Sequence, residues 1–281
     1  MTRAILANQV LLPHDLQWLS QLFAQHPTLQ APFLLDSHAQ LESIESWVAG
    51  CSHRSEDGAP APFDVLVELG IPSGRTGCRS VDQALELAHA AHRSPSVRLV
   101  GIECYEGLWA KGDTEQDTRM VNTLMEQVHA LAMACDRAGL FHDTREILIT
   151  GGGSAVYDLV AKWLKPELSR PTKGLLRSGC YVTHDDGFYK RLGHLVNTRL
   201  GDQSFSRASC SAGLQAALEV WCVVQSRPEP HLAILNAGKR DLSCDMGMPV
   251  AVRWAPAGHT QPEVAPPTWH ITQLNDQHAY L

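Results

Sequence analysis

Glycines and a hydroxyl group interrupt a strand-to-helix transition in the segment ILITGGGSAVYDLV. Gly151, Gly152, Gly153 and Ser154 lie between a β-branched apolar run and a helical pattern. A helix N-terminus carries unsatisfied N–H groups that favour anions, and glycines let the backbone approach an anion closely. The segment therefore predicts either a phosphate site or a plain tight turn, and on its own it favours neither.

Three other strand ends carry residues that could serve the same ligand. Arg75 lies in the glycine-rich loop of VELGIPSGRTGCRS, where it could contact an anionic oxygen or be an ordinary surface arginine. Tyr105 ends the strand of GIECYEG and could equally be a core tyrosine. Gly179 and Cys180 follow the next strand, and in (β/α)8 barrels the loops after strands seven and eight commonly bind phosphate. If these are strands seven and eight, two strands are missing from the front of the chain.

Composition excludes several classes of function. The 281 residues are 44% hydrophobic and 19% charged, with a net charge of −7 and no basic block, so we expect no nucleic-acid partner. No apolar run reaches the roughly 18 residues of a membrane span, so we expect no membrane partner. The eight cysteines are dispersed without a CxxC pair, which is typical of reduced thiols in a cytoplasmic protein.

Strand and helix patterns alternate through the first two-thirds of the chain, which predicts parallel βαβ units. Helices are predicted over residues 15–26, 38–50, 80–92, 114–139 and 154–164, with Ser80 as an N-cap. Between them lie short apolar runs typical of strands buried on both faces. Six strands are predicted, beginning at Arg3, Ala31, Phe63, Val97, Glu146 and Gly174.

The pattern changes after about Tyr189, where the segments ALEVWCVVQSRP, HLAILNAGKRDLS and MPVAVRW indicate strands and turns without a strong helical pattern. We therefore predict two domains, 1–188 and 189–281. The first is an α/β domain and the second is β-rich.

These motifs together resemble a known family. ELGIPSGRTGCRS, GIECYEG, ITGGGS, LRSGCYVTHD, LNAGKRDLSCDMGMP and NDQHAYL are similar to segments of the D-serine dehydratase and D-threonine aldolase family, most of all its amino acid deaminase branch. These are pyridoxal-phosphate enzymes of the alanine-racemase-like type (fold type III). The resemblance implies a (β/α)8 TIM-type barrel lacking its first two strands, followed by an incomplete β-rich domain. It also implies a small-molecule D-amino acid as substrate.

The resemblance assigns roles to individual residues. Arg75 would face the phenolic oxygen of pyridoxal 5′-phosphate, and Tyr105 would lie beside its pyridine ring. Asn8 and Gln9 would face the same pocket. The cofactor phosphate would be held by Gly152, Gly153, Ser154, Gly179 and Cys180.

Two features of the family have no counterpart in this sequence. The cofactor lysine belongs to a segment resembling RPHxKT, and none of the six lysines is expected to end a barrel strand. The histidine-containing pair that binds zinc or another divalent metal is expected beyond Leu281. We therefore expect a fragment with open sheet edges, inactive by itself, from a protein that is a homodimer at full length.

Three functions remain open at this point. The first is a D-serine dehydratase-like (D-serine ammonia-lyase) reaction that gives a 2-oxo acid and ammonia. The second is a D-threonine aldolase-like retro-aldol reaction. The third is a non-catalytic protein that binds pyridoxal phosphate or another phosphate ligand.

Overall fold

The computed structural model describes residues 2–52, 60–184, 187–201, 216–245, 247–259 and 261–281. The chain folds into two compact units, Met1–Ser178 and Gly179–Leu281. The domain division predicted at residue 188 stays a prediction, because a compact unit and a domain that could fold alone are different things.

A parallel sheet forms the first unit. Within the described residues it has six strands that lie side by side in chain order, each pairing in parallel with the next. Helices separate the strands, as parallel crossovers require. The strands are β1 (Leu6–Gln9), β2 (Phe33–Leu35), β3 (Phe63–Leu69), β4 (Val97–Cys104), β5 (Ile147–Gly151) and β6 (Thr172–Leu176). This arrangement confirms the predicted α/β class with a barrel-type sheet.

The connecting helices follow the predicted pattern closely. Ser80 caps α3 as predicted, since its side chain accepts a hydrogen bond from the Gln83 amide. Asp113 caps α4 in the same way through the Gln116 amide. The helices are α1 (Pro13–Gln25), α2 (His38–Ser52), α3 (Val81–Arg93), α4 (Thr114–Arg137) and α5 (Tyr157–Ala161). None of the described helices is long and apolar enough to cross a membrane.

The core of the first unit lies on both faces of β3 and β4. Every residue of β3 except Asp64 is buried, and β4 is buried except at Arg98. Phe63 begins β3 and lies within about 6 Å of three other aromatic rings, those of Phe23, Phe33 and Trp47. Burial on two faces explains why these strands are continuous apolar runs.

Two local predictions in this unit are wrong in extent. The helix predicted over residues 154–164 contains only Tyr157–Ala161, so Ser154 lies in the turn before it. The sixth strand, predicted from the apolar run Gly174–Val182, spans Thr172–Leu176, and Cys180–Val182 form a 3-10 turn in the second unit. The reason is that the side chains of Arg177 and Ser178 make contacts outside the ladder where the strand ends.

The second unit contains a helix that the sequence pattern did not predict. This helix, α6 (Phe188–Gly201), buries Leu192 and Val196, which lie four residues apart on one face. An antiparallel sheet has the order β11-β12-β8-β7, and a separate pair joins β9 and β10. The strands are β7 (Val224–Glu229), β8 (Leu232–Leu235), β9 (Arg253–Trp254), β10 (Glu263–Val264), β11 (Gln273–Leu274) and β12 (Ala279–Tyr280).

Candidate functional site

The loop after β3 brings an arginine to the carboxyl edge of the parallel sheet. The Arg79 guanidinium donates to the backbone carbonyls of Gly74 and Thr76 at 2.9 and 2.7 Å. These hydrogen bonds stabilise the conformation of the loop. Arg75 is exposed, and its guanidinium carbon lies 5.2 Å from the centroid of the Tyr105 ring. Arg79 was missed by sequence reasoning, although it is the second arginine of the same glycine-rich motif.

Tyr105 follows β4 directly and is half-buried, with two arginine side chains near its ring. The guanidinium carbon of Arg177 lies 6.0 Å from its ring centroid, in addition to Arg75. The same ring approaches Gly107 and Gly153 so closely that a Cβ on either glycine would lie 2.8 to 3.1 Å from a tyrosine atom. The structure therefore brings together two of the predicted site residues, Arg75 and Tyr105, with Gly153 against the same ring.

Arg177, which sequence reasoning also missed, connects three strand ends. Its Nε donates to Thr150 Oγ1 at 3.0 Å, and its Nη2 donates to the Cys104 carbonyl at 2.8 Å and to the Glu103 carboxylate. Glu103 is 1% exposed, and its second carboxylate oxygen has no hydrogen-bond partner among the described atoms. A glutamate within an apolar strand was the available signal, because buried carboxylates are rare unless paired.

Burial raises the pKa of two carboxyl groups at this edge of the sheet, those of Glu103 and Glu68. Burial raises the pKa of Glu103 to about 8, and the Arg177 guanidinium opposes that rise. Burial also raises the pKa of Glu68, against the opposing effect of its hydrogen bonds from Thr76 and Gln9. The site therefore contains a carboxyl group that holds its proton at neutral pH beside an arginine.

Gln9 links the ends of the first three strands. Gln9 Nε2 donates to Glu68 Oε2 at 2.5 Å and to Asp36 Oδ2 at 3.1 Å, while Thr76 Oγ1 donates to Glu68 Oε1 at 2.6 Å. Gln9 thus reaches the site edge, whereas Asn8 is exposed and its side chain accepts from the Gln9 amide. A cavity of about 10 Å³ lies between Glu68, Arg75, Thr76, Tyr105 and Trp109.

The glycine turn after β5 already binds a carboxylate. The amide of Gly152 donates to Glu106 Oε2 at 3.1 Å and the amide of Gly153 donates to Glu106 Oε1 at 2.5 Å. Gly152 has a φ of +88°, which an L side chain rarely adopts, so glycine is needed there. Ser154 is buried in the same turn, and Ser178 Oγ donates to the Gly152 carbonyl at 2.6 Å.

The remaining two predicted phosphate residues belong to the second unit. Gly179 and Cys180 are both exposed, and Cys180 begins the 3-10 turn. Because Gly152 and Gly153 belong to the first unit, a phosphate role shared by all four residues stays a prediction.

None of the lysines ends a strand of the parallel sheet. Lys173 lies near the start of β6, within the strand and not before it as the sequence suggested. Lys190 lies on α6, not in a β region. Lys111 follows β4 at a distance, and its amide donates to Asp117 Oδ1 at 2.9 Å. No cluster of three or more His, Cys, Asp or Glu side chains suited to a metal occurs in the described ranges.

The first unit is an α/β sheet of the barrel type with arginine side chains at the carboxyl ends of its strands, which is where the sites of (β/α)8 barrels lie. Residues 217–281 match the family model described as "Putative serine dehydratase domain". A 3-hydroxy-D-aspartate aldolase of Paracoccus denitrificans (strain Pd 1222) is 25% identical, and the match covers 66% of this chain and 43% of that protein. A D-threonine aldolase of Arthrobacter sp is also 25% identical, with 79% and 49% covered.

A solved structure shares the fold over nearly the whole chain. The D-threonine aldolase from Filomicrobium marinum superposes with a TM-score of 0.68 at 20% identity, covering 99% of this chain and 63% of that one. The chain spans about half the length of the curated relatives that it matches. The chain is therefore similar to the D-serine dehydratase and D-threonine aldolase family.

The resemblance to this family implies pyridoxal phosphate, and the described residues fit only part of that group. A tyrosine ring flanked by two guanidiniums suits a flat ring that carries an oxyanion. The amides of Gly152 and Gly153 do not suit a phosphate in this arrangement, because the Glu106 carboxylate already accepts from both.

Proposed function

We propose that this chain is part of a pyridoxal-phosphate-dependent lyase that dehydrates a D-configured β-hydroxy amino acid, as D-serine dehydratases do, to a 2-oxo acid and ammonia. The observation that carries the proposal is the grouping of Arg75, Tyr105 and Arg177 at the carboxyl ends of β3, β4 and β6. The match of residues 217–281 to a serine dehydratase domain supports the dehydratase reaction.

The chain's own residues would bind and orient the cofactor. When bound, pyridoxal phosphate acts as an electron sink that weakens bonds at the substrate's α-carbon. Arg75 would pair with a ring oxyanion, and Tyr105 would support the ring from one face. Glu103 would hold a proton beside Arg177 and keep that arginine aimed at the Tyr105 ring. A divalent metal and a dimeric assembly are proposals that rest on the family alone.

A retro-aldol reaction is the second candidate. Both curated relatives named above are aldolases of β-hydroxy D-amino acids, and each matches about two-thirds or more of this chain. D-threonine distinguishes the two reactions, because dehydration gives 2-oxobutanoate and ammonia whereas retro-aldol cleavage gives glycine and acetaldehyde. A non-catalytic protein that binds a phosphate ligand would give neither set of products.

The test uses the purified 281-residue chain with pyridoxal phosphate, zinc and D-threonine or D-serine. We expect no turnover by the chain alone, because none of its lysines ends a strand of the parallel sheet. A small primary amine added to the buffer should supply the missing amino group and restore slow, protein-dependent consumption of the D-enantiomer. Equal consumption of D- and L-serine, or none with any amine, would contradict the lyase proposal.

A further inference from the structure

Glu106 holds the two amides that the sequence assigns to a phosphate. Each carboxylate oxygen accepts from one amide, at 3.1 Å from Gly152 and 2.5 Å from Gly153. The Glu106 side chain is fully buried and joins the loop after β4 to the turn after β5. Two N–H donors that meet one carboxylate in this way are the arrangement that a bound phosphate would also require.

The backbone around Gly153 is closely packed. A Cβ placed on Gly153 would lie 3.0 Å from the α-carbon of Gly107 and 3.1 Å from Tyr105 Cε2. The cavity beside Tyr105 has a volume of about 10 Å³, which is about the size of one water molecule. A phosphate at these amides would have to take the place of the Glu106 carboxylate, because two anions would compete for the same donors and repel each other.

We propose that Glu106 is the specificity-determining residue of this turn. Its carboxylate is the resident anion, and the amides of Gly152 and Gly153 bind a phosphate-bearing ligand only in exchange for it. The choice of a vitamin B6 phosphate as that ligand rests on the proposed function. The exchange itself rests on the hydrogen bonds and burial of Glu106.

A second buried carboxylate provides a matched control. Asp117 is 3% exposed, and its two oxygens accept from the amides of Lys111 and Gly112 at 2.9 and 3.0 Å. Asp117 therefore has the same chemistry as Glu106. Its contact is local, however, and its amides lie in a loop that no sequence motif assigns to the cofactor.

The test compares pyridoxine 5′-phosphate with pyridoxine, which lacks the phosphate, by isothermal titration calorimetry. Neither probe carries an aldehyde, so neither reacts with surface lysines. For Glu106→Ala we expect a dissociation constant for pyridoxine 5′-phosphate lower by about tenfold or more than that of the wild-type chain, because two amides become available and a buried negative charge is removed. Pyridoxine should bind the variant and the wild type equally.

Glu106→Gln removes the charge but keeps the side-chain volume, so its affinity for pyridoxine 5′-phosphate should increase less than that of Glu106→Ala. It also serves as the test variant if Glu106→Ala does not fold. Thermal unfolding of each variant checks that the comparison is made between folded proteins. Unchanged or weaker phosphate binding in the folded Glu106 variants overturns the proposal, and so does an equal gain in Asp117→Ala. These outcomes do not depend on the D-threonine assay, which tests the lyase function separately.

Discussion

Strands of the two units differ in how far their side chains are buried from solvent. In the first unit, Val65 and Val67 of β3 are both 0% exposed, because helices and neighbouring strands cover both faces of the parallel sheet. In the second unit every residue of β7 is exposed, and Val224 is 55% exposed. The comparison shows that the same residue type can make very different contributions to stability, since buried apolar area and not residue identity determines the free energy gained.

The largest effect should come from the aromatic core of the first unit. Phe63→Ala removes a ring that is 1% exposed and contacts three other aromatic rings. We expect the free energy of unfolding to fall by about 3–5 kcal/mol in urea denaturation. Phe63→Leu should cost clearly less because it leaves a smaller cavity. A loss below about 1 kcal/mol in Phe63→Ala would contradict the two-faced core.

A polar group inside the same unit should make stability depend on pH. The pKa of Glu103 rises from 4.5 to about 8 in the folded chain, so the folded state holds a proton that the unfolded state releases first. Its stabilising contribution is complete below pH 4.5 and is lost as the pH rises through 8. In urea denaturation from about pH 5 to 9, the wild type should lose about 4 kcal/mol relative to Glu103→Gln. Parallel curves for the two proteins would rule this out.

The small core of the second unit should contribute less than the core of the first. Leu235 is 8% exposed and lies in a cluster with Ile271, Leu274 and Ala279. Leu235→Ala should reduce the free energy of unfolding by about 2 kcal/mol. This is the low end of the range for buried Leu→Ala substitutions, because the cluster is small. Chemical denaturation followed by the fluorescence of Trp254 and Trp269, whose rings are in contact in this unit, measures the loss. If Leu235→Ala reduced the free energy of unfolding as much as Phe63→Ala, the core of the second unit would not contribute less than the core of the first.

The smallest effect is expected on the exposed strand. Val224→Ala removes a side chain that is already more than half in solvent, so the free energy of unfolding should change by no more than about 0.5 kcal/mol. Val65→Ala is the matched control, because Val65 is fully buried in β3. An equal loss of unfolding free energy in both variants would contradict the exposure of Val224 in β7.

Local signals in the sequence predicted most elements of the first unit. The apolar runs beginning at Phe63, Val97 and Glu146 correspond to β3, β4 and β5 within one or two residues at their starts. Ser80 caps its helix as its residue type and position predicted. Helix α6 was missed although Phe188, Leu192 and Val196 recur at helical spacing, because the strand-like segments that follow it dominated the interpretation of this region.

The sequence by itself determined the resemblance to a family, the barrel-type class and the strand ends where Arg75, Tyr105 and the glycine turn would lie, because motifs and periodicity are local properties of the chain. Only the tertiary structure decided which groups meet there. Arg177 reaches Glu103, and Glu106 reaches the amides of Gly152 and Gly153, from more than forty positions away in the chain. Such contacts depend on how parallel strands align at one edge, and no spacing within a single segment contains that information.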